Sequence, residues 1–295
     1  MAELDPVETL ASLTDVVRTF GLRTHKSLGQ NFLLDLNITR KIARSAGLLD
    51  GYTVIEIGPG PGGLTRGLLL EGASRVVAIE MDRRCVEALA PLQEAAGERL
   101  EILQGDALRV DLSPFMTGPT KIVANLPYNI ATPLIMGWLA LLPRIESFTL
   151  MLQKEVGARF EAAPNTKAYG RVSVLTQWQV HVTTLFDVPP HVFSPPPKVM
   201  SSVVHFEARQ APLYPADPCA LDRLLRRAFS HRRKVLRANL KALSSCIEDD
   251  LAACGITPNA RAQEVGLEAF CGLARRLEGA LLQDTSSDDG PDDVL

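Results

Sequence analysis

From residue 51 onward the chain alternates short β-branched runs with helical patterns, and few architectures accommodate that alternation. The runs are TVIEI (53–57), RVVAIE (75–80), LEILQ (100–104), KIVAN (121–125) and SFTLML (147–152). Helical patterns separate the first four, except that 105–120 is mostly irregular, and 131–142 reads as a helix before the fifth. Strands joined in this way imply an α/β fold, with a parallel sheet covered by helices on both faces. Two later stretches, 180–188 and 201–208, have no helix between them and are joined by PPHVFSPPPK. They are expected as an antiparallel pair at the sheet edge.

Cap chemistry frames the flanking segments. Asp5-Pro6 opens a helical pattern that Gly21 closes, and a second such unit runs from Asp35 to Gly47. Between them RTHKSLGQNFL (23–33), basic and then apolar, is expected as a structured loop. Composition changes at RQAPLYPADP (209–218), after which the strand signal vanishes and the chain reads helical to about 283. The expected divisions are a helical extension (1–22), an α/β domain (23–208), a linker (209–218), a small all-α domain (219–283) and an acidic tail (284–295). The tail, DTSSDDGPDDVL, holds five aspartates and no base, a composition typical of disorder.

The 295 residues are 46% apolar and 22% charged, as in a soluble globular protein, and the net charge of −3 gives no global sign of nucleic-acid binding. The five cysteines are odd in number and never form a C-x-x-C pair, which fits reduced thiols. The five histidines share no zinc spacing with them, so no metal is expected. No export signal and no apolar run of about 18 residues is found, so the expectation is a cytoplasmic protein without membrane contact. A monomer is the default.

Strand 53–57 runs into EIGPGPGGLT (56–65), where Gly58, Gly60 and Gly63 fit G-x-G-x-x-G and Glu80 ends the next strand. Glycines let a backbone turn tightly against a ligand, and a carboxylate after the second strand can hold two ribose hydroxyls. The pattern identifies an adenosine-bearing ligand without distinguishing NAD from S-adenosylmethionine. Glu56 is awkward beside a pyrophosphate but suits a cationic amino-acid moiety, and Pro59 and Pro61 stiffen a loop with no diphosphate to wrap. GDAL (105–108) places Asp106 after the third strand, where it could accept from an adenine amine or simply close a solvated turn.

NLPYNI (125–130) follows the fourth strand, at the end of the sheet where ligands bind in such folds. An adenine N6 is a poor nucleophile because its lone pair is delocalised into the ring. The Asn125 side-chain oxygen and a main-chain carbonyl near Pro127 could accept its two hydrogens and bias it towards a pyramidal geometry. Proline would fix the backbone for that task, and Tyr128 could stack on the base at about 1–3 kcal/mol. The bland alternative is a proline-terminated strand with a buried tyrosine.

QNFL (30–33), EIGPGPGGLT, IEMD (79–82), GDAL, NLPYNI and FSPPPKVMSSVV (193–204) occur in this order, followed by AFSHRRKVLRANL (228–240). Over about residues 20–283 the chain resembles the ribosomal RNA adenine N6,N6-dimethyltransferases, and most the bacterial small-subunit branch. The resemblance implies a Rossmann-like class I S-adenosylmethionine-dependent methyltransferase sheet with a small all-α C-terminal domain. It further implies that Asn31 and Leu33 close over the cofactor, with Gly58 at its amino-acid part, Glu80 at the ribose and Asp106 at the adenine. Asn125 with the Leu126-Pro127-Tyr128 turn would hold the target amine, and Phe193 would stack on the base from the other side. The implied substrate is two adjacent adenines in a hairpin near the 3′ end of 16S rRNA, within a partly assembled small subunit. The chain departs from the pattern at Pro61 and Gly63, and at Ser230-His231 before the arginine pair.

One basic run stands out in an otherwise acidic chain. Arg223, Arg226, Arg227, Arg232, Arg233, Lys234, Arg237 and Lys241 occur with no acid between 223 and 241. Either this is a solvated helical face or it tracks RNA phosphates, in which case binding falls steeply with salt. Arg23, His25 and Lys26 would extend it. The alternatives are methylation of large-subunit rRNA (the macrolide-resistance type) or of DNA adenine, and a non-enzymatic subunit-assembly factor on the same fold.

Overall fold

The computed structural model describes residues 4–22, 31–127 and 130–283, which divide into two compact units. The first comprises residues up to 157 together with 183–208, and the second comprises 158–182 and the chain from 209. Arg23, His25, Lys26, Gln30, Tyr128 and the acidic tail lie outside the described residues.

In chain order the elements of the N-terminal half are α1 (Leu13–Thr19), β1 (Phe32–Leu33), α2 (Leu36–Ser45), β2 (Thr53–Ile57), α3 (Gly63–Leu70) and β3 (Arg75–Glu80). Then come α4 (Arg83–Ala88), α5 (Ala90–Ala96), β4 (Leu100–Gln104), β5 (Thr120–Asn125), α6 (Ala131–Leu139), β6 (Ser147–Gln153) and α7 (Lys154–Phe160). The remainder are α8 (Arg171–Gln179), β7 (Val180–Val188), β8 (Phe193–Ser194), β9 (Ser201–Ala208), α9 (Pro218–Phe229), α10 (Leu236–Leu240), α11 (Ile247–Ala253), α12 (Leu267–Arg276) and α13 (Glu278–Gln283).

Seven strands form one sheet in the order β4-β3-β2-β5-β6-β9-β7. β4 to β6 are parallel along this order, and β9 runs antiparallel to β6. The runs of β2, β3, β5 and β6 are mostly buried on both faces, as a covered parallel sheet requires, whereas β4 at the edge is only partly buried. The chain winds outward from β2 to β4 and then resumes at β5 on the other side, so the order reverses between β2 and β5. Ligand crevices open at such reversals, beyond the carboxyl ends of the strands. The two later strands are neighbours at the sheet edge as expected, with β7 outermost and β9 between it and β6.

The structure adds to the sequence reading at four points. The N-terminal helical segment is two pieces, a 3-10 turn at Pro6–Thr9 and then α1, because Asp5 and Ser12 each cap a separate start. Helices α7 and α8 are unanticipated; α8 (RVSVLTQWQ) is rich in β-branched residues and buries Ser173, Val174, Leu175, Thr176 and Trp178, so no clean amphipathic stripe shows. The domain boundary is also discontinuous, since 158–182 belongs to the helical unit. There Arg171 pairs with Asp222 at 2.7 Å and the Tyr169 hydroxyl donates to the Val265 carbonyl. The stretch 209–218 is not a free linker, because the Leu213 N–H donates to the Trp178 carbonyl and the Trp178 indole donates to the Tyr214 carbonyl.

Helix α2 crosses α3 closely enough that a Cβ on Gly67 would stand 2.9 Å from the Thr39 carbonyl carbon and oxygen. Alanine there gains about 1 kcal/mol of helix propensity, yet overpacking backbone against backbone costs about 1–3 kcal/mol. Gly67→Ala is expected to lower the urea midpoint without changing the slope of the transition. An unchanged or raised midpoint would show that the α2–α3 spacing is slack.

Candidate functional site

At the end of β2 the backbone leaves the sheet through Gly58 (φ +68°), Gly60 (φ +56°) and Gly62 (φ +87°), a run of left-handed conformations that favours glycine. Gly63, expected as the third glycine of the motif, begins α3 and serves a different need. A Cβ on it would lie 2.4 Å from the Leu33 carbonyl oxygen, so its bare Cα lets β1 settle onto the loop. A cavity of about 270 Å³ opens beside this turn, walled by the ends of β2, β3, β4 and β5 and by Asn31, Phe32 and Leu33.

Three carboxylates face this cavity, each in a different electrostatic state. Glu80 is buried, its Oε2 accepting from the Gly60 N–H at 3.0 Å and its Oε1 from the Asp82 N–H at 2.8 Å. Burial pushes its pKa up, and the backbone donors oppose that rise. Glu56 is only 1% exposed, and burial, with Thr65 opposing and the Glu80 charge adding, pushes its pKa up to about 8. Its Oε2 has no hydrogen-bond partner among the described residues. Asp106 is more open, its Oδ1 accepting from the Leu108 N–H at 3.0 Å and its Oδ2 lying 3.6 Å from Arg109. It therefore closes a solvated turn and also lines the cavity.

The opposite wall is the end of β5. The Asn125 Nδ2 donates to the Asn31 carbonyl at 3.5 Å, which leaves Oδ1 as the acceptor this amide can offer. The Leu126 N–H donates to the Met151 carbonyl, and the Ile130 N–H takes up the Pro127 carbonyl at 3.2 Å. Among the described residues no hydrogen bond reaches the Leu126 carbonyl. Pro127 stands beside Gly58, where a Cβ would be in ordinary van der Waals contact with its ring at 3.8 Å.

Asn31, Leu33, Gly58, Glu80, Asp106, Asn125, Leu126 and Pro127 thus converge on one cavity; Tyr128 lies outside the described residues. Phe193 does not line it. It pairs with Leu33 in the β1–β8 ribbon, and its ring is 4% exposed within the main core. Several lining residues had no role assigned from the sequence, among them Phe32, Met81 and Leu108. The Phe32 ring would touch a Cβ on Gly60 at 3.2 Å and is held by Val16, Leu22, Cys85 and Ala88. Met81 (52% exposed) and Leu108 (49% exposed) follow Glu80 and Asp106 within IEMD and GDAL, where an exposed apolar side chain beside an acid is the signal.

In the helical unit the basic run resolves into distinct groups. Arg223 donates to the Leu281 and Leu282 carbonyls, Arg226 pairs with Asp222 and Arg237 pairs with Glu248. Arg232 donates to the Lys167 and Tyr169 carbonyls at 3.1 and 2.7 Å. Arg227 is half-buried, whereas Arg233, Lys234 and Lys241 are exposed. The run is therefore partly compensated, by acids just outside it. Among the described residues no cluster of His, Cys, Asp or Glu is placed to hold a metal, and no helix is long and apolar enough to cross a membrane.

The site fits S-adenosylmethionine: the buried Glu56 keeps one oxygen without a partner among the described residues, suited to a cation, and glycines at 58 and 60 leave room for a close backbone approach. Comparison with known proteins agrees. The family model described as ribosomal RNA adenine dimethylase matches residues 21–278. Ribosomal RNA small subunit methyltransferase A of Cereibacter sphaeroides is 53% identical over 275 residues, covering 92% of this chain and 99% of the relative. The protein of the same name from Paracoccus denitrificans is 52% identical over 280 residues, covering 94% and 99%. Among solved structures, a dimethyladenosine transferase from Plasmodium falciparum superposes with a TM-score of 0.71 at 26% identity, covering 83% of this chain and 97% of that one. The 23S rRNA methyltransferase ErmE gives 0.65 at 28%, covering 84% and 100%. On its site, its fold and these relatives, the chain belongs to the ribosomal RNA adenine dimethylase family and is an S-adenosylmethionine-dependent enzyme of that class.

Proposed function

We propose that this enzyme methylates N6 of two adjacent adenines in a hairpin near the 3′ end of 16S rRNA, within a partly assembled small subunit, and acts as a monomer in the cytoplasm. The observation that carries the reading of the site is that Asn125 and Leu126 line the same cavity as Glu56 and Gly58, with the Asn125 Nδ2 turned to the Asn31 carbonyl. The small-subunit target is supported by the names of relatives above 50% identity, against 28% for the large-subunit enzyme.

When bound, S-adenosylmethionine supplies a methyl group on a sulfonium. Glu56 would face its amino-acid part, Glu80 its ribose and Asp106 its adenine amine, with Met81 and Leu108 flanking the ring. Asn125 Oδ1 and the Leu126 carbonyl would accept the two N6 hydrogens of the target and turn its lone pair towards the methyl. Holding reactants in line contributes up to about 7–11 kcal/mol, which makes alignment the main catalytic effect. No strong base is needed, because the N6 proton leaves after nitrogen has become cationic. Tyr128 would stack on the target base, whose extrusion costs a few kcal/mol. Phe193, packed behind the ribbon, is assigned to hold Leu33 in place rather than to meet the base.

The test is radiolabelled methyl transfer to small subunits lacking these modifications, followed by nuclease digestion and nucleoside analysis. N6,N6-dimethyladenosine near the 3′ end is expected. Label confined to large-subunit RNA, or none with cofactor and subunit binding intact, would sink the proposal. Asn125→Ala is expected to slow transfer by about 100-fold or more, as misplacement at a reacting centre does, while subunit binding persists. Parallel loss of binding would remove the assigned role.

A second prediction concerns proton linkage. Below about pH 8 a cation at Glu56 must also displace a proton. Between about pH 6 and 7.5, where a free α-amino group stays charged, cofactor affinity should rise with pH by up to about tenfold per unit. Calorimetry in buffers of different ionisation enthalpy should show proton release on binding, and Glu56→Gln should flatten the profile. A flat profile in the unmodified enzyme would take Glu56 out of the site.

A further inference from the structure

The helical unit holds a basic surface larger than the run in its sequence. Residues 163–170 form an irregular segment, AAPNTKAYG from 162, whose fold is fixed at several points. Asn165 takes a left-handed conformation (φ +67°), which asparagine tolerates, and its N–H donates to the Gln263 carbonyl at 2.8 Å. The Thr166 hydroxyl closes on the Ala163 carbonyl, and the buried Tyr169 hydroxyl anchors on Val265. Between these anchors stands Lys167, exposed and without an ion pair among the described residues. One acid, Glu161, precedes it.

The segment is joined to the turn after α9 by Arg232. Its Nη2 donates to the Lys167 carbonyl at 3.1 Å and to the Tyr169 carbonyl at 2.7 Å, so it occupies the backbone on both sides of Ala168. The turn is itself fixed, with the Lys234 N–H donating to the His231 carbonyl and Asn239 Nδ2 donating to the Ala228 and His231 carbonyls. Two segments some 65 residues apart in the chain are thereby held against each other, one carrying the exposed Lys167 and the other, next to Arg232, the exposed Arg233 and Lys234.

We propose that Lys167 contacts RNA phosphate as part of this surface, and that Arg232 is a positioning residue that latches the Lys167 segment rather than a phosphate ligand. The proposal rests on the reading that the enzyme binds rRNA in a small subunit. The reasons are chemical. An exposed ammonium on a braced backbone is a point charge held where a phosphate can meet it, whereas an Nη2 already engaged by two carbonyls uses the fork geometry that distinguishes arginine from lysine.

Binding of unmethylated small subunits is to be measured across a potassium chloride series for Lys167→Gln, Arg232→Ala, Arg232→Lys and the Lys167→Gln/Arg232→Ala double variant. Each lost phosphate contact should reduce the log–log salt slope by about 0.7–0.9. Lys167→Gln is expected to show that reduction, with the loss of affinity largest at low salt. Arg232→Lys, which keeps the charge but not the fork, should lose the same amount as Arg232→Ala, and the double variant should lose no more than Arg232→Ala. Hydrogen exchange over 163–169 should rise in the Arg232 variants and not in Lys167→Gln. An unchanged slope in Lys167→Gln, with the unmodified enzyme binding normally, overturns the Lys167 contact. Additive losses in the double variant, or full retention of slope by Arg232→Lys, overturn the latch. Failure of the unmodified enzyme to bind small subunits at all would overturn the rRNA reading itself, and this proposal with it.

Discussion

The parallel register of β2 against β5 governs the geometry of the site. Thr53, Val54 and Ile55 lie beside Thr120, Lys121 and Ile122, and neighbouring strands stand only about 4.8 Å apart. Two strands in step must release their chains side by side at the same end of the sheet. The glycine turn and the Asn-Leu-Pro turn are therefore forced together, to the point where a Cβ on Gly58 would meet the Pro127 ring. Because β3 and β4 continue on one side and β6 on the other, neither chain covers the gap. The cover comes instead from β1, which reaches the gap because Gly63 has no side chain to obstruct Leu33.

The charge in the gap then selects the ligand. Glu56 and Glu80 are both buried on adjacent strands, and among the described residues neither has an ion-pair partner. Glu80 is compensated by the N–H groups of Gly60 and Asp82, whereas Glu56 keeps an oxygen with none. Burial raises the pKa of both, so a cation beside Glu56 would restore its charge, whereas a pyrophosphate would favour its protonated form. A cationic amino acid and a ribose with hydroxyl donors meet the complementary need, which is how the structure resolves an ambiguity the glycine pattern leaves open.

What was legible in the sequence follows the same physics. The strands of the parallel sheet show because burial on both faces demands apolar, β-branched runs, and their bounds agree within a residue at β2, β3, β4, β5 and β6. The site residues show because glycine, acid and Asn-Pro each occupy positions where a core would reject them. Helix α8 did not show, since burial on several faces erases the stripe that marks a helix. The burial of Phe193 was hidden for a related reason. Its place in a Pro-rich loop suggests exposure, but a two-residue pairing with β1 draws the ring into the core. Phe32 was passed over because its value depends on α1 and α4, whose packing no local pattern reveals.

The basic run shows the limit of counting charges along a chain. Its compensating acids lie just beyond it, Asp222 one residue before and Glu248 a few residues after. These pairs are not equivalent. Arg237 and Glu248 are 41% and 58% exposed, so their attraction is weak and a phosphate can replace the carboxylate. Asp222 instead holds Arg226 and Arg171 together, and at 29% exposure it is better shielded. Arg223 serves the carbonyls that end α13, a role that any helix terminus needs filled. The charge available to RNA is consequently smaller than the eight cations of the run, yet the surface extends beyond the run through Lys167. A salt slope measured on this protein would count phosphates met by exposed cations, and arginines bound to backbone carbonyls would enter it only through the segments they hold in place.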